Sequence, residues 1–168
     1  MEQPQIPNTG VVRKSVAIGI ACKKEAAFDY ISSGDALPMW LRKTGPIHGA
    51  VKVEVIKGPY NFVGATRHVT LEAGDGIIET LTYYDRPVYY SYSVTNFQDF
   101  LKHLVKMAYG QLWFEDVGNN THVVWVYTFV PKNVFAKAVV WLFLTLFYKK
   151  FMNQSLQLAK AEIEKLQT

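Results

Sequence analysis

From about residue 133 to residue 166 the apolar side chains recur at helical spacing, and nothing earlier in the chain sustains that period for long. Everything between residues 46 and 131 alternates instead with period two, so a sheet of many strands must be covered by this one helix. At about 1.5 Å per residue the helix spans roughly 50 Å, more than most sheets are wide. Within it, residues 138–148 read AVVWLFLTLFY and hold no charge. That run is too short to cross a bilayer, which takes about 20 residues. A helix lying on a sheet needs only an apolar stripe. Here residues 135–148 are apolar nearly all round, while Trp141, Leu144, Tyr148, Met152, Ala159 and Ile163 continue one stripe to the end. The surplus apolar surface implies something beyond the sheet: a ligand, a second subunit or a membrane surface.

The rest of the chain supplies the sheet. Residues 13–22 alternate and read as a first strand, followed by a helix over 24–32 with Ala27, Phe28 and Ile31 on one face, and a shorter one over about 35–43 carrying Leu37, Trp40 and Leu41. Val51, Val53 and Val55 open the next strand. Five more are expected over 65–72, 77–84, 88–96, 103–114 and 121–130, with turn signals between them at Gly74-Asp75-Gly76, Asp85-Arg86-Pro87 and Gly118-Asn119-Asn120. Short connections join antiparallel neighbours. The expected fold is therefore α+β: a curved seven-stranded antiparallel sheet gripping a long C-terminal helix, with two short helices between strands 1 and 2. Residues 1–12 read as a loose leader and 13–168 as a single domain, a size that suits 168 residues.

Charge narrows the partners. Six lysines (132, 137, 149, 150, 160, 165) stand against Glu162 and Glu164, so the whole formal excess of +4 lies in the terminal helix segment. All four arginines lie elsewhere, and no broad basic face with interleaved aromatics results, which argues against nucleic acid. The single cysteine, Cys22, rules out an internal disulfide and suits a reducing cytoplasm. His48, His68, His103 and His122 lack metal-ligand spacing, so neither a metal nor another cofactor is expected.

Aromatic residues, ten Tyr, ten Phe and four Trp, point to an interior that is not simply packed. Tyr83, Tyr90, Tyr92, Tyr109 and Tyr127 sit at alternating strand positions, and buried phenols need partners for their hydroxyls. If Gly74-Asp75-Gly76 is a three-residue loop, Leu71 pairs with Glu79, Val69 with Leu81 and Arg67 with Tyr83. That register turns Arg67 and Glu79 inward as a diagonal or water-bridged pair, able to hold a ligand carboxylate or hydroxyl, or to brace the rim of a cavity.

The order of elements, together with FDYISSGDALPMW (28–40), GATRHVTLEAGDGIIETL (64–81) and WFEDVGNNTHVVWVYTFVP (113–131), resembles the polyketide cyclase/dehydrase branch of the START-like, or SRPBCC, superfamily. The resemblance runs from about 13 to 166. It rests on a helix ending in tryptophan, a Gly-x-x-Arg strand, a glutamate on the strand after the next turn, and a Thr-x-x-x-Trp strand before the long helix. It implies a helix-grip fold enclosing a hydrophobic cavity between sheet and helix, with Arg67, Glu79 and Trp125 on recurring positions. The unusually apolar 138–148 departs from the pattern.

These readings converge on a binding module for a small lipid-like or aromatic ligand, with Trp40, Arg67, Glu79, Tyr83, Tyr90, Tyr92, Tyr109, Trp125, Tyr127, Trp141, Leu144 and Tyr148 as candidate ligand contacts. A metal-free cyclase or dehydratase using Arg67 and Glu79 is the alternative. A third reading makes helix 134–152 a membrane-surface or dimerising element.

Overall fold

The computed structural model describes residues 5–74 and 76–167. Seven strands form one antiparallel sheet in the order β1-β7-β6-β5-β4-β3-β2. They are β1 (Val12–Ile20), β2 (Ala50–Lys57), β3 (Thr66–Leu71), β4 (Gly76–Asp85), β5 (Tyr89–Thr95), β6 (Val105–Val117) and β7 (Asn120–Pro131). Helices α1 (Lys24–Ser32) and α2 (Leu37–Trp40) stand between β1 and β2, as expected. A four-residue helix, α3 (Leu101–Leu104), replaces the start of the strand expected at 103. The terminal helix comprises α4 (Val134–Phe143), a π-helical turn (Leu144–Tyr148) and α5 (Lys149–Lys165).

Local chemistry explains several boundaries. Asn133 caps α4, its side chain accepting the Ala136 N–H at 2.8 Å. The β6–β7 hairpin closes through Gly118 and Asn119, with Val117 opposite Asn120 and Gly118 at φ +62°, where a glycine is strain-free. Near its end α5 is tied to β1 by polar contacts as well as packing. Lys160 Nζ donates to the Gly19 carbonyl at 2.8 Å, and Glu164 Oε1 accepts the Ala21 N–H at 2.8 Å.

The β3–β4 register differs from the expectation. Thr70 pairs with Gly76 and Arg67 directly with Glu79, a slip of four residues from the expected pairing of Arg67 with Tyr83. Asp75 lies outside the described residues. The slip preserves parity, so the inward and outward faces of β3 are unchanged. Two interactions favour the wider connection. Leu71 is still in the sheet, opposite Ala50 of β2 with the Glu72 N–H on the Gly49 carbonyl, and the shorter register would separate Arg67 from its carboxylate.

The helix shows an equally local irregularity. In α4 and the π turn only Ala136, Val140, Leu144 and Tyr148 are buried, a strict four-residue repeat. Such a repeat runs ahead of a 3.6-residue helix by about 40° per step. The wider π turn absorbs the drift and returns Tyr148 to the sheet side, from which Phe151, Met152, Leu156, Ala159 and Ile163 continue the buried stripe of α5. Trp141 is not on that stripe. It is 55% exposed, with Lys14 Nζ 5.8 Å from its ring centre, because Val140 occupies the inward position beside it.

Candidate functional site

A cavity of about 230 Å³ lies between the inner face of the sheet and the terminal helix. β7 contributes Trp125, Tyr127 and Phe129, β5 contributes Tyr92, and β4 contributes Ile77 and Glu79. The helix closes the space with Phe143, Tyr148 and Phe151, and α2 adds Leu37 and Trp40. Its exposed lining residues, Pro46, Ala73, Gln98 and Asp99, mark the opening, between the loop after α2, the β3–β4 turn and the loop before α3.

Room for the cavity comes from small residues on β6. Gly110 stands between Tyr92 on β5 and Tyr127 on β7 in the strand register. A Cβ at 110 would overlap the Tyr92 ring, so the missing side chain lets that ring lie flat over the strand. Gly110→Ala is therefore expected to cost about 1–3 kcal/mol by overpacking and to push Tyr92 into the cavity. The check is a fall in melting temperature together with reduced uptake of a fluorescent apolar probe.

Arg67 and Glu79 form the polar part of the wall. Arg67 is 1% exposed, and its Nε and Nη2 both reach Glu79 Oε2 at 2.7 Å. Nη1 donates to the Ser32 carbonyl at 3.2 Å, and the guanidinium lies 4.0 Å from the centre of the Tyr60 ring. Burial opposes the charge of Arg67, but Glu79, with Tyr60 and Tyr90, outweighs it and holds the guanidinium above its ordinary value. Because both contacts fall on Oε2, Glu79 Oε1 is left unengaged by Arg67. Glu79 lines the cavity, whereas Arg67 lines a separate, shallower depression of about 280 Å³ with Tyr60, Ser32 and Asp35. The ion pair is thus a partition between the two.

The other polar atoms are phenols and indoles. Tyr92, Tyr127 and Tyr148 line the cavity, the rings of Tyr127 and Tyr148 pack with their centres 5.2 Å apart, and burial holds all three phenols above the ordinary range. The rings of Trp40 and Trp125 pack edge to face with centres 5.9 Å apart, and both indole N–H groups, like His48 Nδ1, are buried without a hydrogen-bond partner among the described residues. Buried polar groups left without a partner are uncommon in folded proteins.

Of the candidate contacts read from sequence, Trp40, Glu79, Tyr92, Trp125, Tyr127 and Tyr148 line the cavity, and Arg67 stands behind Glu79. Tyr90 is buried in the core against Phe28, its hydroxyl donating to the Ile31 carbonyl at 3.4 Å, and Leu144 is buried without lining the space. Three candidates lie elsewhere. A bulge between Leu81 and Tyr83 adds a residue to β4, so Tyr84 turns inward against Phe28 and Tyr83 turns outward against Tyr89. Tyr109 takes the face opposite to Ala108 and Gly110, with its hydroxyl 3.4 Å from the Met107 sulfur. Trp141 is on the outward side of α4, as described. Several lining residues were not among the ligand contacts read from sequence. Phe129 continues the alternation of Trp125 and Tyr127, and Phe151 follows Tyr148 by three, so both had a periodic signal. His48 and Phe97 sit in loops and had none.

The family model described as "Polyketide cyclase / dehydrase and lipid transport" matches residues 11–164. No curated protein is significantly similar in sequence. Among solved structures, XoxI from Bacillus cereus superposes with a TM-score of 0.68 at 21% identity, covering 93% of this chain and 98% of that one. Ginseng major latex-like protein 151 from Panax ginseng gives 0.65 at 14%, covering 90% and 97%. Protein CV1439 from Chromobacterium violaceum gives 0.61 at 14%, covering 92% and 97%. At such identities these likenesses speak for the fold, and the family match speaks for descent. By sheet order, by the helix that closes the sheet and by a profile spanning nearly its whole length, the chain belongs to the polyketide cyclase/dehydrase and lipid transport family of the START-like, or SRPBCC, superfamily.

Proposed function

We propose that the protein binds and carries a small, largely apolar molecule bearing oxygen functions in the cavity between sheet and helix. The observation that carries this reading is the aromatic-lined space kept open by Gly110, whose mostly hydrophobic wall includes the Glu79 carboxylate and three tyrosines. Apolar pockets with a few placed polar groups are the usual form of a small-molecule site. At about 230 Å³ the space is below the roughly 300–1,000 Å³ of drug-sized sites. It therefore suits a compact ligand, or one whose tail extends through the opening. A ligand hydroxyl has an acceptor in Glu79 Oε1, and a carbonyl has donors in the tyrosines.

The test is native mass spectrometry of the purified protein before and after solvent extraction. A stoichiometric apolar passenger, removed by extraction and identified by its mass, is the expected result. A protein that carries nothing, and that takes up no apolar fluorescent probe, would sink the carrier reading.

A cyclase or dehydratase is the second reading, favoured by the Glu79 carboxylate at the cavity wall. It requires turnover that Glu79→Gln abolishes in a protein that still folds. In either case the exposed apolar face of the terminal helix is a surface for interaction.

A further inference from the structure

We propose that the outward face of α4 and the π turn docks on a bilayer carrying anionic headgroups. Every fourth residue of this segment is buried, Phe143 is half-buried at the cavity, and the remainder is exposed. Phe135 is 87% exposed, and Val139, Leu142 and Leu146 follow it along one line at helical spacing, flanked by Trp141 and Phe147. Soluble monomers rarely display a continuous apolar patch of this extent. Its length, about 22 Å for residues 134–148, suits a helix lying in the plane of an interface, and no helix among the described residues is long and apolar enough to cross a membrane.

Charge selects the occupant. Lys132, Lys137, Lys149 and Lys150 are all exposed and bracket the apolar line at both ends. None of the four is ion-paired among the described residues, and no Asp or Glu occurs anywhere from Val117 to Ala161. Asp99, at the cavity opening, accepts the Leu101 N–H at 2.8 Å. A second copy seated on the same face in antiparallel fashion would set the lysines at one end against those at the other. An anionic bilayer accepts both halves of the pattern, apolar side chains at the acyl boundary and ammonium groups among the headgroups.

The surface is continuous with the cavity opening. Phe143 lines the cavity, meets the exposed Phe100 edge to face at 5.0 Å, and has Phe147 at 6.0 Å. Docking would therefore bring the opening to the acyl boundary, where an apolar passenger can pass without crossing water. That last step rests on the carrier reading; the docking itself does not.

The experiment is co-sedimentation of the full chain with phosphatidylcholine vesicles, with and without phosphatidylglycerol, alongside analytical ultracentrifugation. Strong partition onto the anionic vesicles alone is expected. Leu142→Asp with Leu146→Asp should reduce it more than tenfold, since both side chains enter the boundary. Replacing Lys137, Lys149 and Lys150 by Gln should reduce it roughly a hundredfold, about fivefold per lysine, and added salt should act in the same direction. All these side chains are exposed, so both variants should keep the wild-type melting temperature and probe uptake. Failure of the wild type to sediment with anionic vesicles overturns the proposal. So does equal binding to neutral vesicles that is indifferent to the lysines, or a concentration-dependent dimer abolished by Leu142→Asp. A failure of the carrier reading would appear instead in the native mass spectrum, with vesicle binding intact.

Discussion

Above about pH 10 the protein is expected to lose stability steeply and to unfold cooperatively within one to two pH units. Tyr90, Tyr92, Tyr127 and Tyr148 are buried, as is the hydroxyl of the half-buried Tyr60, and burial is the main reason each of these five phenols is held above its ordinary value. Glu79 adds to the effect at Tyr60 and Tyr92, while Arg67 opposes it at Tyr60 and Tyr90 without reversing it. In the unfolded chain these groups lose their protons near pH 10. The folded state keeps them, so above that pH the unfolded state binds fewer protons and stability falls as pH rises. Their contribution is fully present below about pH 10. Each retained proton is worth about 1.4 kcal/mol per pH unit, and five together roughly 7 kcal/mol per unit, against a typical total of about 5–15 kcal/mol. Denaturant titrations stepped from pH 8 upward would read the slope, and Tyr92→Phe with Tyr127→Phe should flatten it by roughly two fifths. Phenolate absorbance corresponding to all ten tyrosines, reached near pH 10 with the far-ultraviolet circular dichroism unchanged, would contradict this account.

Removing one partner of the ion pair is the second large effect. Arg67→Ala leaves the Glu79 carboxylate buried without its cation, and should cost about 3–5 kcal/mol. For a chain of this size that lowers the melting temperature by on the order of 10 °C. Glu79→Ala is expected to be comparably harmful, because it strands a guanidinium whose other contacts are one carbonyl and a ring face. Replacing both, as Arg67→Met with Glu79→Leu, should restore most of the loss, since two well-packed apolar side chains avoid the desolvation of two ions. The same double variant would lose the cavity's carboxylate, so a stable protein with weakened ligand retention is expected. Thermal unfolding of the three variants, with mass spectrometry of the carried ligand, separates structural from recognition roles. If Arg67→Ala melted like the wild type, the pair would not be the buried brace described above.

How far the sequence disclosed this arrangement depended on how each feature is encoded. Alternation and turn residues are local, so the strands, α1 over 24–32 and the terminal helix were legible to within a few residues. The inward placement of Arg67 and Glu79 was legible because parity survives a register slip of four. Their direct pairing was not, since it depends on where β3 leaves β2. Tyr83 was misplaced by a one-residue bulge and Trp141 by a helix read as uniform, both irregularities that only tertiary packing decides. The cavity was inferred from an excess of tyrosines, but the residue that makes room for it, Gly110, is a missing side chain and gives no apolar signal. The surplus of exposed apolar surface on the helix was visible as composition, and the lysines around it as charge.

The strand order also has a consequence for the time course of synthesis. Among the described residues β1 finds its one strand partner in β7, and Val12 pairs with Phe129. At a translation rate of about 5–20 residues per second, β1 waits on the order of ten seconds for that neighbour to be made. The helix that closes the sheet emerges later still. Until then the inner face of every completed hairpin is open, with Trp125, Tyr127 and Phe129 unshielded. Nascent chains of this protein should thus depend on holding chaperones until the last turns of α5 leave the ribosome, and a message cut short before the helix should yield aggregate instead of a smaller folded unit.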